Sequence, residues 1–138
     1  MDKKDPAQQE WLELFLAKHD GVAGTVHMQL GEDLYLTAAH NIPPPVIAIV
    51  MHVPRGKGMA GVAQVKKVPV QTCNLQTDET GNIKPGAKAI HAQAAIALPV
   101  FDDKGDVRAV VGIAWNTERG IGPEEERTLM TQAAGLPQ

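Results

Sequence analysis

Ala94-Ala95-Ile96-Ala97-Leu98-Pro99-Val100-Phe101 and Val107-Arg108-Ala109-Val110-Val111-Gly112-Ile113-Ala114-Trp115 are two apolar runs joined by Asp102-Asp103-Lys104-Gly105-Asp106. A short polar joint containing glycine, between runs this apolar, specifies an antiparallel hairpin. The hairpin decides the fold class, because another pattern points elsewhere. Gly56-Lys57-Gly58-Met59-Ala60-Gly61 matches G-x-G-x-x-G, and Asp78 follows at a distance that imitates a ribose-binding acid. A dinucleotide fingerprint has to open a βαβ unit. Here a short helix, a polar loop and the hairpin follow, so the glycines read as a tight turn entering a helix. One narrower reading stays open: the amides of Gly58 and Met59, at that helix start, can meet an anionic group on a small ligand.

Upstream, Pro6 to Lys18 places Trp11, Leu14 and Phe15 on one helical face with Leu12 and Leu16 beside it, and Gly21 and Gly24 are read as its end. Thr25–Leu30 and Asp33–Ala39 form a second hairpin around Gly31-Glu32. Val46 to Met51 is β-branched like a strand, yet the three prolines before it can open a helix. Met59–Lys66 reads as a short helix with Met59, Val62 and Ala63 inward, and Val68–Thr72 as an edge strand. Asn74–Lys88 is a polar surface loop, expected to be the mobile segment. Gly122-Pro123-Glu124-Glu125-Glu126 opens a last helix, its acids at the positive dipole end. The order gives an α+β class: an antiparallel sheet flanked by helices.

Composition narrows the function classes. A chain of 138 residues, 43% hydrophobic and 21% charged, suits one globular domain spanning 1–138 that needs no disulfide or metal staple. The net charge of −3 is dispersed, which gives nucleic acid no basic face to bind. The longest apolar run, Val46–Met51, is too short for a bilayer, and the amino terminus carries no secretory pattern. Cys73 is the only cysteine, so a reducing, cytoplasmic setting is expected. The chain has no serine, which removes Ser-His-Asp chemistry, and one cysteine removes C-x-x-C redox chemistry. His19, His27, His40, His52 and His91 form no H-x-H or H-x-x-x-H pair, so no metal is called for, although a single axial haem ligand needs no spacing. Cys73 reads as a small buried apolar side chain, and Glu124 to Glu126 as solvated dipole partners.

Val53 to Gly61, followed by Lys67-Val68-Pro69-Val70, resembles the signature of GAF domains, in which a G-x-G-x-x-G turn opens a short helix and a k-x-P-V strand comes next. Leu98-Pro99-Val100, Gly105 and Val110-Val111-Gly112-Ile113 are similar to the family's terminal hairpin, and Gly122 to Leu129 to its closing helix. The likeness runs from about residue 8 to 136. It implies an antiparallel sheet with helices on one face and a small-molecule pocket on the other, and a helix over Pro44 to Met51. It also implies a sensory or regulatory module, in a family whose members bind cyclic nucleotides, haem, bilins or small metabolites. The cyclic-nucleotide pattern N-K-F-D-E is absent, and Cys73 does not sit in a bilin-attachment setting. Free methionine-(R)-sulfoxide reductases of this family carry G-x-G-x-C-G, where this chain has Ala60.

These readings combine into expectations. The chain binds a small molecule in a largely apolar pocket whose wall or lid includes Met59, Val62, Cys73, Asn74, Asp78, Ile96 and Trp115. No cofactor is specified, no metal is expected, and no catalytic residue is assigned; the chain is expected not to be an enzyme, and sulfoxide reductase activity is rejected on the cysteine count. The runner-up is a module that acts by dimerising with a side-chain-filled pocket. A homodimer through the terminal helices is expected in either case, because Trp11, Leu12, Leu14, Phe15 and Leu16 form a wide apolar arc.

Overall fold

The computed structural model describes residues 3–72 and 93–138. Within them lie α1 (Pro6–Lys18), β1 (Ala23–Leu30), β2 (Asp33–His40), α2 (Pro44–Val50), β3 (His52–Val53), α3 (Gly58–Lys66), β4 (Val70–Thr72), β5 (Ala94–Phe101), β6 (Val107–Trp115) and α4 (Pro123–Ala133). The expected loop Asn74–Lys88, with Cys73 before it, lies outside the described residues. The strands pair antiparallel in one sheet of order β3-β2-β1-β6-β5-β4. Both sequence hairpins are therefore present, joined side by side through β1 and β6, and the α+β class holds.

One face of the sheet carries α1 and α4. Leu12, Phe15 and Leu16 of α1, with Leu129 and Ala133 of α4, pack on Val26, Ile96, Leu98, Val111, Ile113 and Trp115. This is the main core, and it absorbs most of the apolar arc of α1. Leu14 stays 66% exposed, with Trp11 half-buried. Asp5 caps α1 by accepting from the Gln8 amide at 3.0 Å. The buried Gln8 side chain accepts from Thr37 Oγ1 at 2.5 Å and donates to the Pro137 carbonyl at 3.0 Å, tying α1 to β2 and to the chain's end.

One local reading is corrected and one left open is decided. Gly21 and Gly24 do not terminate α1; the left-handed residue after it is Asp20, at φ 59. The glycines instead permit close approach: a Cβ on Gly21 would sit 2.6 Å from Ile113, and one on Gly24 2.8 Å from the Gly112 carbonyl. Residues 44–50, open between strand and helix on propensity, are helical. Pro44 and Pro45 occupy a first turn where their missing N–H groups cost nothing, while the amides of Val46 and Ile47 bond back to the Pro43 carbonyl.

The glycine-rich turn has a geometric explanation for each glycine. Gly56 and Gly58 take φ +80 and +66, and a Cβ on Gly61 would lie 2.7 Å from the main chain of Gly56. The first turn of α3 thus folds against the turn that precedes it. At an open helical position Gly→Ala gains about 1 kcal/mol. Here the contact outweighs that gain, and Gly61→Ala is expected to lose about 1–3 kcal/mol in urea unfolding. A variant more stable than the wild type would refute this packing.

Candidate ligand-binding cavity

The second face of the sheet is built differently. In successive rows across β1, β6 and β5 stand Ala23, Ala114 and Ala95, then Thr25, Gly112 and Ala97. No side chain larger than threonine rises from these rows. α2 and α3 cover this face, with Ile42, Val46, Met59 and Ala63 packed toward it. Short floor residues under helices held at a distance leave space, and two adjoining cavities of about 120 and 130 Å³ result. They share Thr25, Ile42, Met59 and Ala60.

The second cavity holds the polar groups. It is lined by Val46 and Val50 of α2, by Val53, by Thr25 and His27 of β1, and by Lys57 to Ala60 at the start of α3. Lys57 gives α3 no side-chain cap. The first-turn amides therefore keep the donor capacity that every helix start leaves unused. The expected meeting of Gly58 and Met59 with a small ligand has its geometric setting here. His27 is 3% exposed, and its Nε2 lies 2.9 Å from the Val50 carbonyl at the end of α2. A carbonyl only accepts, so Nε2 carries the proton and Nδ1 is an acceptor. Nδ1 is buried without a partner among the described residues. Burial pushes the His27 pKa down to about 4, only partly opposed by the Val50 hydrogen bond, so the ring is neutral at pH 7.

The residues expected at the pocket are divided by the structure. Met59 lines both cavities. Val62 is half-buried on α3 but borders neither. Cys73, Asn74 and Asp78 lie outside the described residues. Ile96 lines the first cavity, while Trp115 is corrected: it lines neither cavity, its side chain belongs to the core beneath α1 and α4, and its Nε1 donates to the His19 carbonyl at 2.9 Å. Side chains alternate along a strand, and the cavity face of this hairpin is Ala95, Ala97, Gly112 and Ala114. Ile96 reaches the cavity border from within the sheet, while its side chain packs on the far side. Sequence reasoning missed Thr25, His27 and Ala60; the available signal was the shared parity of Ala23, Thr25 and His27 on β1. Among the described residues no three His, Cys, Asp or Glu side chains converge as metal ligands, and no helix is long and apolar enough to cross a membrane.

No protein-family model and no curated protein matches this sequence. Solved structures do match. The GAF domain of a phosphoenolpyruvate-protein phosphotransferase from Coxiella burnetii superposes with a TM-score of 0.75 at 14% identity, over 96% of this chain and 81% of that one. The chain has the GAF fold. The same fold is shared by the type II free methionine-R-sulfoxide reductase of Thermoplasma acidophilum, with a TM-score of 0.73 at 17% identity over 93% of this chain and 87% of that one. The Neisseria meningitidis free methionine-R-sulfoxide reductase, solved with its substrate, gives 0.73 at 13% identity over 91% and 71%. These neighbours overturn the expectation that the chain is not an enzyme: the GAF fold houses reductases as well as GAF domains of other proteins, so the fold does not separate the two. At such identities the likeness establishes architecture alone.

The buried histidine makes stability depend on pH. The folded pKa of about 4 lies below the ordinary 6.5, so the unfolded chain takes up the proton first as pH falls. The contribution of neutral His27 is complete above pH 6.5 and is lost progressively between 6.5 and about 4. Full loss corresponds to about 3 kcal/mol. His27→Phe is expected to flatten the acid limb by roughly that amount in denaturant unfolding from pH 7 to 4. An unchanged limb would show that His27 is not held neutral.

Proposed function

We propose that this chain is a sensory or regulatory module that holds a small, largely apolar molecule in the paired cavities beneath α2 and α3. One observation carries the reading: the central strands are packed with large side chains toward α1 and α4 but floored with alanine, glycine and threonine on the other side. Protein interiors fill themselves to crystal-like density, and space left beside a few aligned polar groups is the mark of a ligand site. Each cavity is smaller than the several hundred Å³ of a drug-sized site, so the occupant is a small metabolite. The reductases that share the fold make turnover a property to measure beside binding. A thiol step would rely on Cys73, and with one cysteine its sulfenic acid would have to condense with one external thiol, releasing water, and the mixed disulfide be reduced by a second.

Ala60 borders both cavities from the first turn of α3, a position where leucine suits a helix. Ala60→Leu is therefore expected to keep or raise Tm while emptying the site. Native mass spectrometry of protein purified from cells should find a bound small molecule on the wild type and none on Ala60→Leu. Equal occupancy in both proteins would overturn the assignment of these cavities.

Association through α1 and α4 belongs to the same proposal, and it now rests on the exposed Leu14 with the half-buried Trp11 and Met130. Phe15 is 4% exposed and holds the core, so a charge there would unfold the protein instead of splitting a dimer. Leu14→Glu is the informative change. It is expected to alter stability by no more than about 0.5 kcal/mol and to convert a sedimenting dimer into the 14.8 kDa monomer. A wild type that stays monomeric at tenfold higher concentration would overturn dimerisation.

A further inference from the structure

His27 is the one polar side chain in the second cavity that is almost completely buried and incompletely bonded. Its ring bridges β1 and α2, because Nε2 donates to the Val50 carbonyl at 2.9 Å. That carbonyl ends a helix and has lost its intrahelical partner, so the hydrogen bond is needed where it is. The bond fixes which nitrogen of the neutral ring is protonated and leaves Nδ1 as a lone-pair acceptor. Ile42, Val46, Val50, Val53 and Met59 line this cavity with side chains that cannot donate. Thr25 and Lys57 line the same cavity, yet Nδ1 has no partner among the described residues. A buried acceptor is otherwise found paired in nearly every native protein.

We infer that Nδ1 of His27 selects the occupant of this cavity, accepting a hydrogen bond from a hydroxyl or N–H group on an otherwise apolar ligand. The inference rests on the proposed ligand cavity and adds the chemical class that it takes. His27 is a specificity residue: a ligand of the same shape without the donor leaves Nδ1 buried and unpaired, and discrimination of this kind is far steeper than a pocket achieves on size.

Indole and benzofuran test it, being flat bicycles of matched shape of which only indole carries an N–H. In calorimetric titrations of the wild type, indole is expected to bind at least tenfold tighter than benzofuran. In His27→Phe the two should bind within about twofold of each other. Nitrogen-15 spectra of the histidine-labelled protein add a direct readout: indole should move the His27 Nδ1 resonance, identified by its absence from His27→Phe, and benzofuran should not. Equal binding of both probes, with that resonance unmoved and with binding lost in Ala60→Leu, would overturn the role of His27 while leaving the cavity assignment intact. Binding of neither probe would overturn the cavity assignment and the inference together.

Discussion

β1, β6 and β5 form the middle of the sheet and are covered on both faces, so every residue along them has to be matched to a neighbour above or below. The two faces are matched in opposite ways. Toward α1 and α4 the strands send Val26, Ile96, Leu98, Val111, Ile113 and Trp115, which fill the layer completely. Toward α2 and α3 they send Ala23, Thr25, Ala95, Ala97, Gly112 and Ala114. One layer is a core and the other contains space because of this division alone. The remaining architecture follows from it. α1 and α4 are anchored by apolar contact, and the cavity-side helices add local ties to theirs. α2 starts on Pro43 to Pro45 and ends at the His27 hydrogen bond, and at α3 Gly61 lies against Gly56.

That interlock also explains why a sequence pattern associated with dinucleotides serves a different end. In a Rossmann turn the glycines bring a backbone close to a pyrophosphate and a helix close to a strand. Here two of them satisfy left-handed backbone angles, and the third lets the helix start lie against its own turn. The common physical content is the absence of a Cβ, which allows close approach to any partner. What the turn achieves in this chain is to aim the uncapped start of α3 at the second cavity.

Much of the fold was legible because turn chemistry and periodicity agreed. The hairpin bounds 94–101 and 107–115, and helix 6–18, follow directly from where polar joints interrupt apolar runs. The face of each central strand was not legible. In a strand exposed on one side, alternation of polar and apolar residues declares the inward face. In Ala94–Phe101 and Val107–Trp115 both parities are apolar, and Ile96 and Trp115 look as suitable for a pocket as Ala95 and Ala114. Their size should have argued the other way, since a pocket wall is made by small residues and a core by large ones. His27 was hidden for a related reason: a histidine on a strand is ordinarily a surface residue, and only the placement of α2 over β1 buries it. The helix over residues 44–50 was undecidable from propensity, because its β-branched composition favours a strand while its prolines favour a helix start. The short β3 that follows takes the edge position instead.

Binding and catalysis make different demands on such a cavity. A bound molecule needs apolar walls, an acceptor such as His27 and donors such as the α3 amides, all present in the second cavity. Catalysis adds a group that changes its bonding during the reaction. His27 is a poor candidate for proton transfer at neutral pH, because its pKa is pushed down to about 4 and its Nε2 proton is engaged by Val50. A thiol route would draw on Cys73, which directly follows β4. β4 pairs with β5, whose Ala95 and Ala97 floor the first cavity. β5 therefore carries the small-residue floor of the first cavity and also pairs with β4, after which Cys73 stands in the sequence.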